Sequence, residues 1–589
     1  MPVQNAEIAA MFDQAAELLE IKGDNPFRIR AYRRAARTIE SLPTSASAML
    51  GSGEELSELP GVGEDLAGKI ADIVKKGKFT LLEKLKREMP GGLAKLLEIP
   101  GMGPKRVRLL FDELGVSSLD DLRRAAKAGR LQELRGFGPK MEHSILDALA
   151  KPKTATGRFK LPVAEAEAKA LLDWLARGKL CKRLVAAGSF RRRQETVGDL
   201  DILATAEAGP AVGDRLAAYE NTAQVLAHGP TRTTVRLRSG LQVDLRVVAD
   251  ESYGAALMYF TGSKAHNIAL RNLANARGWK LNEYGLFDGD RRIAGVSEEE
   301  IYKKLRLAFV PPELREDRGE VELAEKKALP ELVSLSDIRG DLHVHSDWTD
   351  GVASIEEMAI AAQARGYAYL ALTDHSRRVT VAHGLTPERL MRQIGEIDDL
   401  NAKLQGITLL KGVEVDILAD GGLDLPDKIL ERLDIVVASV HYKFDLPRDA
   451  QTERVLRAME NPHVSIIGHP TGRLIGERDA YDINMEQILR AARARGCVME
   501  INAAPDRLDL NDVHAHMAKM IGVKVAISTD AHSVFGLDCM RFGVDQARRG
   551  WLEREDVINT RPLSTLMETL QRRSRPGRRA KPRSGGSGS

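Results

Sequence analysis

At 589 residues the chain is too long for one hydrophobic core, so several domains are expected. Lys and Arg number 87 against 84 Asp and Glu, a formal net charge of +3, so any surface for a polyanion must be local rather than announced by the whole chain. Three scattered cysteines (Cys181, Cys497 and Cys539) have neither disulfide nor metal spacing and fit a reducing, cytoplasmic setting. No run of about 18 apolar residues exists, so neither a membrane span nor a secretory signal is expected.

From Ala6 to Ile39 the apolar spacing is helical, with Ile8, Met11, Phe12, Ala15, Leu18 and Leu19 on one face. Arg28, Arg30, Arg33, Arg34 and Arg37 then make a basic helix, a pattern that on its own is usually a solvated face. A repeat follows. Leu59-Pro60-Gly61-Val62-Gly63, Ile99-Pro100-Gly101-Met102-Gly103 and Leu134-Arg135-Gly136-Phe137-Gly138 each place a Gly-x-Gly turn before an amphipathic helix. Glycines allow a tight turn whose N–H groups point outward as an anion nest. These segments resemble helix-hairpin-helix motifs, which grip DNA phosphates without reading bases. Gly61, Gly63, Gly101, Gly103, Gly136 and Gly138 are the expected contacts. One copy reads as a packing device; three favour DNA binding.

The central stretch is Gly188-Ser189-Phe190-Arg191-Arg192, followed by Gly198-Asp199-Leu200-Asp201-Ile202-Leu203. Leu184 to Ala187 reads as a strand, Gly188-Ser189 as a turn opening a short helix, and Leu200 to Leu203 as a second strand. Residues i and i+2 of a strand share a face, so Asp199 and Asp201 project side by side. A lone Asp-x-Asp is more often a solvated strand. Here the Gly-Ser turn supplies phosphate-binding N–H groups, with Ser189 and Arg192 adding donors. In Gln242-Val243-Asp244-Leu245-Arg246 the polar positions alternate with apolar ones, and Asp244 on a neighbouring strand completes a three-carboxylate site for two Mg²⁺ or Mn²⁺ ions.

These motifs, with Tyr259-Phe260-Thr261-Gly262-Ser263 and Asn282-Glu283-Tyr284 downstream, resemble the nucleotidyltransferase fold and the family X DNA polymerases. The resemblance implies that Asp199 and Asp201 hold both metals and that Asp244 binds the one acting on the primer 3′-hydroxyl. It implies triphosphate contacts for Gly188, Ser189 and Arg192, and a sugar gate at Tyr259, Phe260 and Gly262. Asn267 would face the incoming base and Arg271 the template strand. In the polymerase beta subgroup a lysine at the position of Lys69 forms a Schiff base with an abasic sugar. Here Asp65 and Phe27 replace a lysine and a histidine of that subgroup, and an anion one turn away favours a charged Lys69.

Beyond a mixed-charge stretch from Arg315 to Lys327 the rhythm changes. Seven short apolar runs alternate with helical stretches, and most end in metal-binding side chains: His343 and His345, His375, Glu414, His441, His469, Asp530 and His532, with Asp350 close behind the first. A parallel barrel active site requires polar groups at strand C-termini. This half resembles the PHP (polymerase and histidinol phosphatase) domain. The resemblance implies three ions of Mn²⁺ and/or Zn²⁺: one among His343, His345, Glu414 and Asp530, a second bridged by Glu414 to His441 and His469, a third held by Asp350, His375 and His532. Ions so held activate water and bind phosphate oxygens.

The expected architecture is multidomain α+β and α/β, with helical helix-hairpin-helix domains, a nucleotidyltransferase palm and a distorted seven-stranded (β/α) barrel. Its segments are 1–78, 79–155, the palm 156–250, a nucleotide-selecting subdomain 251–316, a linker 317–336, the barrel 337–571 and a basic tail 572–589. The expected activities are gap-filling DNA synthesis and metal-dependent 3′→5′ exonuclease or 3′-end processing. The partners are gapped or nicked DNA and deoxynucleoside triphosphates, for a nucleoid-associated monomer. Alternatives for the barrel are a small-molecule phosphatase, an abasic-site endonuclease or a non-catalytic support.

Overall fold

A computed structural model describes residues 3–574 except 4, 41, 43, 60, 90–92, 97, 98, 100, 101, 135, 139, 140, 143, 144 and 147–156. The chain divides into two compact units. The first gathers Met1–Arg158, Ser263–Leu281 and Arg315–Lys326; the second gathers Phe159–Gly262, Asn282–Leu314 and Lys327–Ser589. Among the described residues no helix is long and apolar enough to cross a membrane.

The first unit is helical. Asn5–Lys22 and Pro26–Glu40 are separate helices, parted at Gly23, and Phe12, Tyr32 and Phe79 pack their rings together at 5.1 to 6.0 Å. The basic helix is not simply a bare cationic face: Arg28 pairs with Asp24, Arg33 with Glu20 and Arg37 with Asp317. The three repeats share one turn hydrogen bond among their described residues. Val62 N donates to Leu59 O at 2.9 Å, Met102 N to Ile99 O at 2.9 Å and Phe137 N to Leu134 O at 3.0 Å, and Val62, Met102 and Phe137 are buried. Gly61 and Gly136 take positive φ at these turns, which suits a residue without Cβ. Gly63 and Gly103 open the helices Glu64–Lys76 and Pro104–Leu114. Gly101 lies outside the described residues.

The mixed-charge stretch expected to act as a linker is folded in part. Glu320 opens the helix Glu320–Glu325, accepts from Asp317 N and Arg318 N, and meets His266 Nδ1 at 2.6 Å, with both side chains fully buried. Glu320 and Asp317 are thus taken up in pairing, while Glu322, Glu325, Lys326 and Lys327 face solvent. Of the expected basic tail, residues 572–574 end the helix Leu563–Ser574, and 575–589 lie outside the described residues.

In the second unit five strands form the palm sheet: β1 (Arg183–Ala186), β2 (Asp199–Thr205), β3 (Thr222–His228), β4 (Arg232–Leu237) and β5 (Gln242–Val248), in the order β1-β2-β5-β4-β3. Only β2 and β5 run parallel. Alternation gives the sheet two faces. Leu200, Ile202, Val243 and Leu245 pack on the helices Leu161–Arg177 and Gly209–Ala217, while Leu203 packs on the opposite side with Ala256 and Leu257 of the helix Tyr253–Thr261.

The barrel strands are β6 (Gly340–Val344), β7 (Tyr369–Leu372), β8 (Thr408–Asp416), β9 (Ile435–Ser439), β10 (Ile466–Ile467), β11 (Val498–Asn502) and β12 (Val525–Ser528). They pair in sequence order, every pair parallel. Asp530 N donates to His343 O and His345 N to Ala531 O, each at 2.9 Å, which joins the last strand's end to the first. Inside, Leu342, Tyr369, Leu410, Val437 and Ile466 meet Leu566 and Leu570 of the final helix. The interior is thus a packed core, and the opposite, C-terminal strand ends are left for polar side chains.

Candidate active sites

The parallel register of β2 and β5 sets Asp201 level with Asp244. Asp199 and Asp201 share the face that turns away from the Leu200 and Ile202 core, and the three charges interact: burial, then Asp199 and Asp244, push the Asp201 carboxyl up to about 7. Asp244 is buried, which works against its charge, yet Thr234 Oγ1 (2.6 Å), Arg232 (2.7 Å) and Gln242 Nε2 (2.7 Å) donate to it and hold it below the usual carboxylate range. Gly188 sits at φ 64° against Asp201; a Cβ there would lie 2.4 Å from Asp201 Oδ2. Only glycine lets the turn approach the carboxylates this closely.

The helix Gly188–Arg191 is tied to the Tyr-Phe-Thr-Gly turn. Arg191 donates to Thr261 Oγ1 at 2.7 Å and pairs with buried Glu298, and Arg192 Nη1 donates to Thr261 O at 2.5 Å. Tyr259 and Phe260 pack edge to face at 5.1 Å, with the Arg246 guanidinium 4.5 Å over Phe260, and Gly262 takes φ 68°. Ser189, Arg192, Tyr259, Phe260 and Gly262 therefore lie in the same unit as the carboxylates. Asn267 and Arg271 lie on the helix Lys264–Asn275 of the other unit, where Arg271 Nε donates to Asn267 O. Lys69, also in that unit, contacts Asp65 and lies 5.3 Å from the Tyr32 ring centre. Partial burial works against its charge, but the bonds to Asp65 and Tyr32 outweigh it and raise the ammonium pKa.

At the C-terminal mouth of the barrel all nine expected side chains converge. His375 Nδ1 lies 2.8 Å, His469 Nε2 2.9 Å and His441 Nε2 3.2 Å from Glu414, and His345 Nε2 lies 3.1 Å from Asp530. Asp350 is 3.4 Å from His532 and 3.5 Å from His375. Three groups have ligand atoms close enough to share an ion: His345, Asp350, His375 and His532; His343, His345 and Asp530; and His375, Glu414 and His441. His345 and His375 each serve two groups, where the resemblance had put each in one.

Burial and the neighbouring His375 and His532 push His345 down to about 3, so at neutral pH its ring is uncharged and one of its nitrogens offers a lone pair. Burial opposes charge on His375 and His441, but Glu414 overrides it and lifts them to about 10 and about 9. His343 Nε2, both His345 nitrogens, His375 Nδ1 and Glu414 Oε2 are buried without a hydrogen-bond partner. Buried polar atoms of that kind are costly to leave unsatisfied. Imidazole and carboxylate ligand atoms drawn together, several of them left without a hydrogen bond, fit divalent cations.

Sequence reading missed the groups behind the ligands. Glu500 Oε1 lies 2.7 Å from His343 Nδ1, and its Oε2 accepts from His469 N at 2.6 Å. Asp416 Oδ1 lies 2.5 Å from His441 Nδ1. Such carboxylates fix ring orientation and ligand basicity. The signal for Glu500 was present, as a carboxylate inside the apolar run Val498 to Ile501. Asp374, beside His375, points elsewhere and accepts from Ser346, Thr349 and Gln393.

The fold and its two clusters define a divalent-metal enzyme with a nucleotidyltransferase palm and a metallohydrolase barrel. A DNA polymerase beta thumb model matches residues 256–316 and a PHP domain model residues 341–504. A helix-hairpin-helix domain model matches residues 3–79, and a SAM-like helix-hairpin-helix tandem model residues 93–151. The chain is 40% identical over 570 residues to the DNA polymerase/3'-5' exonuclease PolX of Bacillus subtilis (strain 168), covering 96% of this chain and 99% of that protein. It is 27% identical over 342 residues to DNA polymerase lambda of Rattus norvegicus, covering 53% of this chain and 56% of that protein. A probable phosphatase of Thermoanaerobacter sp. (strain X514) is 32% identical over 246 residues, 40% of this chain and 95% of that protein. The chain belongs to the family X DNA polymerases that carry a C-terminal PHP domain.

Proposed function

We propose that this chain is a DNA-directed DNA polymerase that fills gaps during repair and, through its barrel, a metal-dependent 3′→5′ exonuclease that trims 3′ ends. The observation that carries the first activity is Asp201 level with Asp244 on adjacent parallel strands, with the Gly188 turn packed against Asp201. Divalent ions bound there would lower the pKa of the primer hydroxyl and stabilise charge at the reacting phosphate. Ser189 and Arg192 hold the triphosphate, and Gly188 lets the backbone approach it. Tyr259 and Phe260 crowd the sugar, with Gly262 shaping the turn, while Asn267 and Arg271 meet the incoming base and the template. The glycine turns at 61, 63, 103, 136 and 138, open at all but Gly61, where Arg34 lies close, hold DNA phosphates irrespective of sequence, with Gly101 in the same motif. We assign Mg²⁺ or Mn²⁺ to the palm and three ions of Mn²⁺ and/or Zn²⁺ to the nine barrel ligands, in a monomer working on cytoplasmic DNA. The bonds to Asp65 and Tyr32 that raise the Lys69 ammonium pKa work against the neutral amine a Schiff base needs, and we do not extend the reading to abasic-sugar lyase.

A labelled gapped duplex with Mn²⁺, with and without deoxynucleotides, tests this reading. Extension should fall at least about a thousandfold in Asp201→Ala while shortening persists. His343→Ala should lose shortening and keep extension. Extension that survives Asp201→Ala removes the palm assignment. Shortening that survives His343→Ala removes the barrel assignment, and phosphate released from histidinol phosphate alone would make the barrel a small-molecule phosphatase.

A further inference from the structure

The palm and the barrel lie in the same compact unit; Lys160 pairs with Glu477 and Asp506, Glu165 pairs with Arg541, and a further set of contacts falls on the segment that carries the Gly-Ser turn. Arg549 Nη1 of the barrel donates to Arg192 O at 2.8 Å. Arg193 pairs with Asp545 at 2.6 Å. Glu195 accepts both Arg473 Nη1, at 3.2 Å, and Arg473 Nη2, at 2.6 Å. Leu508 of the barrel is buried among Leu161, Ala164 and Val197 of the palm.

Arg473 makes this more than packing. Its Nη2 also donates to Leu508 O at 2.5 Å, so one guanidinium joins the palm carboxylate to two barrel loops, 469–478 and 503–510. Those loops carry and brace ligands. Thr471 N and Gly472 N, two and three residues after His469, donate to Asp509 Oδ2 at 2.8 and 3.0 Å. Asp509 exchanges backbone hydrogen bonds with Asn502, and Asn502 Nδ2 donates to Asp530 Oδ2 at 3.0 Å and to Glu500 Oε2 at 3.2 Å. Glu500 in turn accepts from His469 N. A short run of polar links therefore separates Glu195 from His469 and Asp530. Arg473 is mostly buried, its side chain 14% exposed, so water compensates poorly if its partner is removed.

We infer that Glu195, in the palm, is a positioning residue of the barrel's nuclease site. It anchors Arg473, and Arg473 fixes the two loops that set His469 and Asp530. The inference rests on the nuclease reading of the barrel. It makes the nuclease depend on a palm residue that touches none of the nine ligands.

Full-length Glu195→Arg should lose roughly tenfold in 3′→5′ shortening, on the scale of removing a group that orients a metal ligand, with primer extension changed less than twofold. Arg473→Glu should do the same, and the Glu195→Arg/Arg473→Glu swap should recover most of the loss. Glu195→Gln, which keeps the shape, should give a smaller loss in the same direction if the reversal variant folds poorly. Two readouts do not need turnover. Hydrogen exchange over 469–478 and 503–510 should speed up in Glu195→Arg, and the dissociation constant of the metal-stripped protein for Mn²⁺ should rise. Unchanged shortening, exchange and Mn²⁺ affinity, or a loss that the swap leaves in place, would overturn the inference. A wild-type chain that shortens no DNA would remove the nuclease reading instead, and swap-dependent Mn²⁺ affinity would then decide the positioning role alone.

Discussion

In the palm, three carboxylates on two strands share a partly open face, whereas in the barrel nine ligands from six strand ends are drawn into a largely buried cluster. The palm site carries like charge that its cations offset only in part: Arg232 pairs with Asp244, yet Asp201, half-buried against Asp199 and Asp244, retains a proton to about pH 7. The barrel cluster compensates itself, since Glu414 and Asp530 are held far below their usual range by the histidines around them. A cation completes the palm by relieving repulsion. In the barrel it must displace protons from histidines already paired with carboxylates. The two sites should therefore bind metal with different strength, different proton stoichiometry and different dependence on their surroundings.

The largest effect that separates them lies in metal affinity. Titration of the stripped protein with Mn²⁺, followed by electron paramagnetic resonance, should show a tight class of sites and a weaker one. His345→Ala, which takes a shared ligand from two groups, should weaken the tight class by at least about a hundredfold and leave the weak class alone. Asp201→Asn should do the reverse. Loss of both classes in either variant would mean that the sites are not independent.

Next in size is Glu500→Gln, which keeps the shape of a side chain that touches His343 and the backbone of His469. Nuclease activity should fall about 10- to 100-fold with extension unchanged. In the palm the ligands are themselves carboxylates, and Asp244 is steadied by donors, Thr234 and Gln242 among them, rather than by a carboxylate behind an imidazole.

Acid dependence sharpens the contrast further. In the ion-free palm the Asp201 pKa is raised to about 7, so below that pH a cation competes with one proton. The Mg²⁺ concentration for half-maximal extension should rise about tenfold per unit below pH 7 and be flat above it. In the barrel His375 and His441 are raised to about 10 and about 9, so metal uptake at pH 7 to 8 expels protons from both. Apparent Mn²⁺ affinity of the tight class should keep climbing towards pH 9. Calorimetry in buffers of different ionisation enthalpy measures both stoichiometries, and equal slopes at the two sites would break the comparison.

The same contrast explains what could be read without coordinates. The i and i+2 spacing of Asp199 and Asp201, and of His343 and His345, fixes a shared face, and polar residues ending apolar runs point to the mouth of a parallel barrel. Both sites were legible on those terms. That the Asp244 strand neighbours the Asp199–Asp201 strand was expected from the third carboxylate, but the parallel register that sets Asp201 level with Asp244 was not legible, since register is a tertiary choice, and neither was the sharing of His345 and His375 between ligand groups, which depends on side-chain reach across the mouth. The stretch from Arg315 to Lys327 read as a mixed-charge linker because charge alone does not reveal pairing. His266, 54 residues before Glu320, supplies the buried partner.

The smallest effect concerns Arg232, on a strand the sequence reading left without a role. Its guanidinium is about half exposed and gives Asp244 one of several donors, Thr234 and Gln242 being others. Removing it leaves those two in place, and solvent screens what the exposed charge contributes. Arg232→Ala should therefore raise the Mg²⁺ requirement for extension only about threefold, with nuclease activity and the tight Mn²⁺ class untouched. A loss approaching that of Asp201→Ala would instead make Arg232 the dominant support of Asp244, and the palm would then resemble the barrel in hanging its chemistry on a single partner behind the ligand.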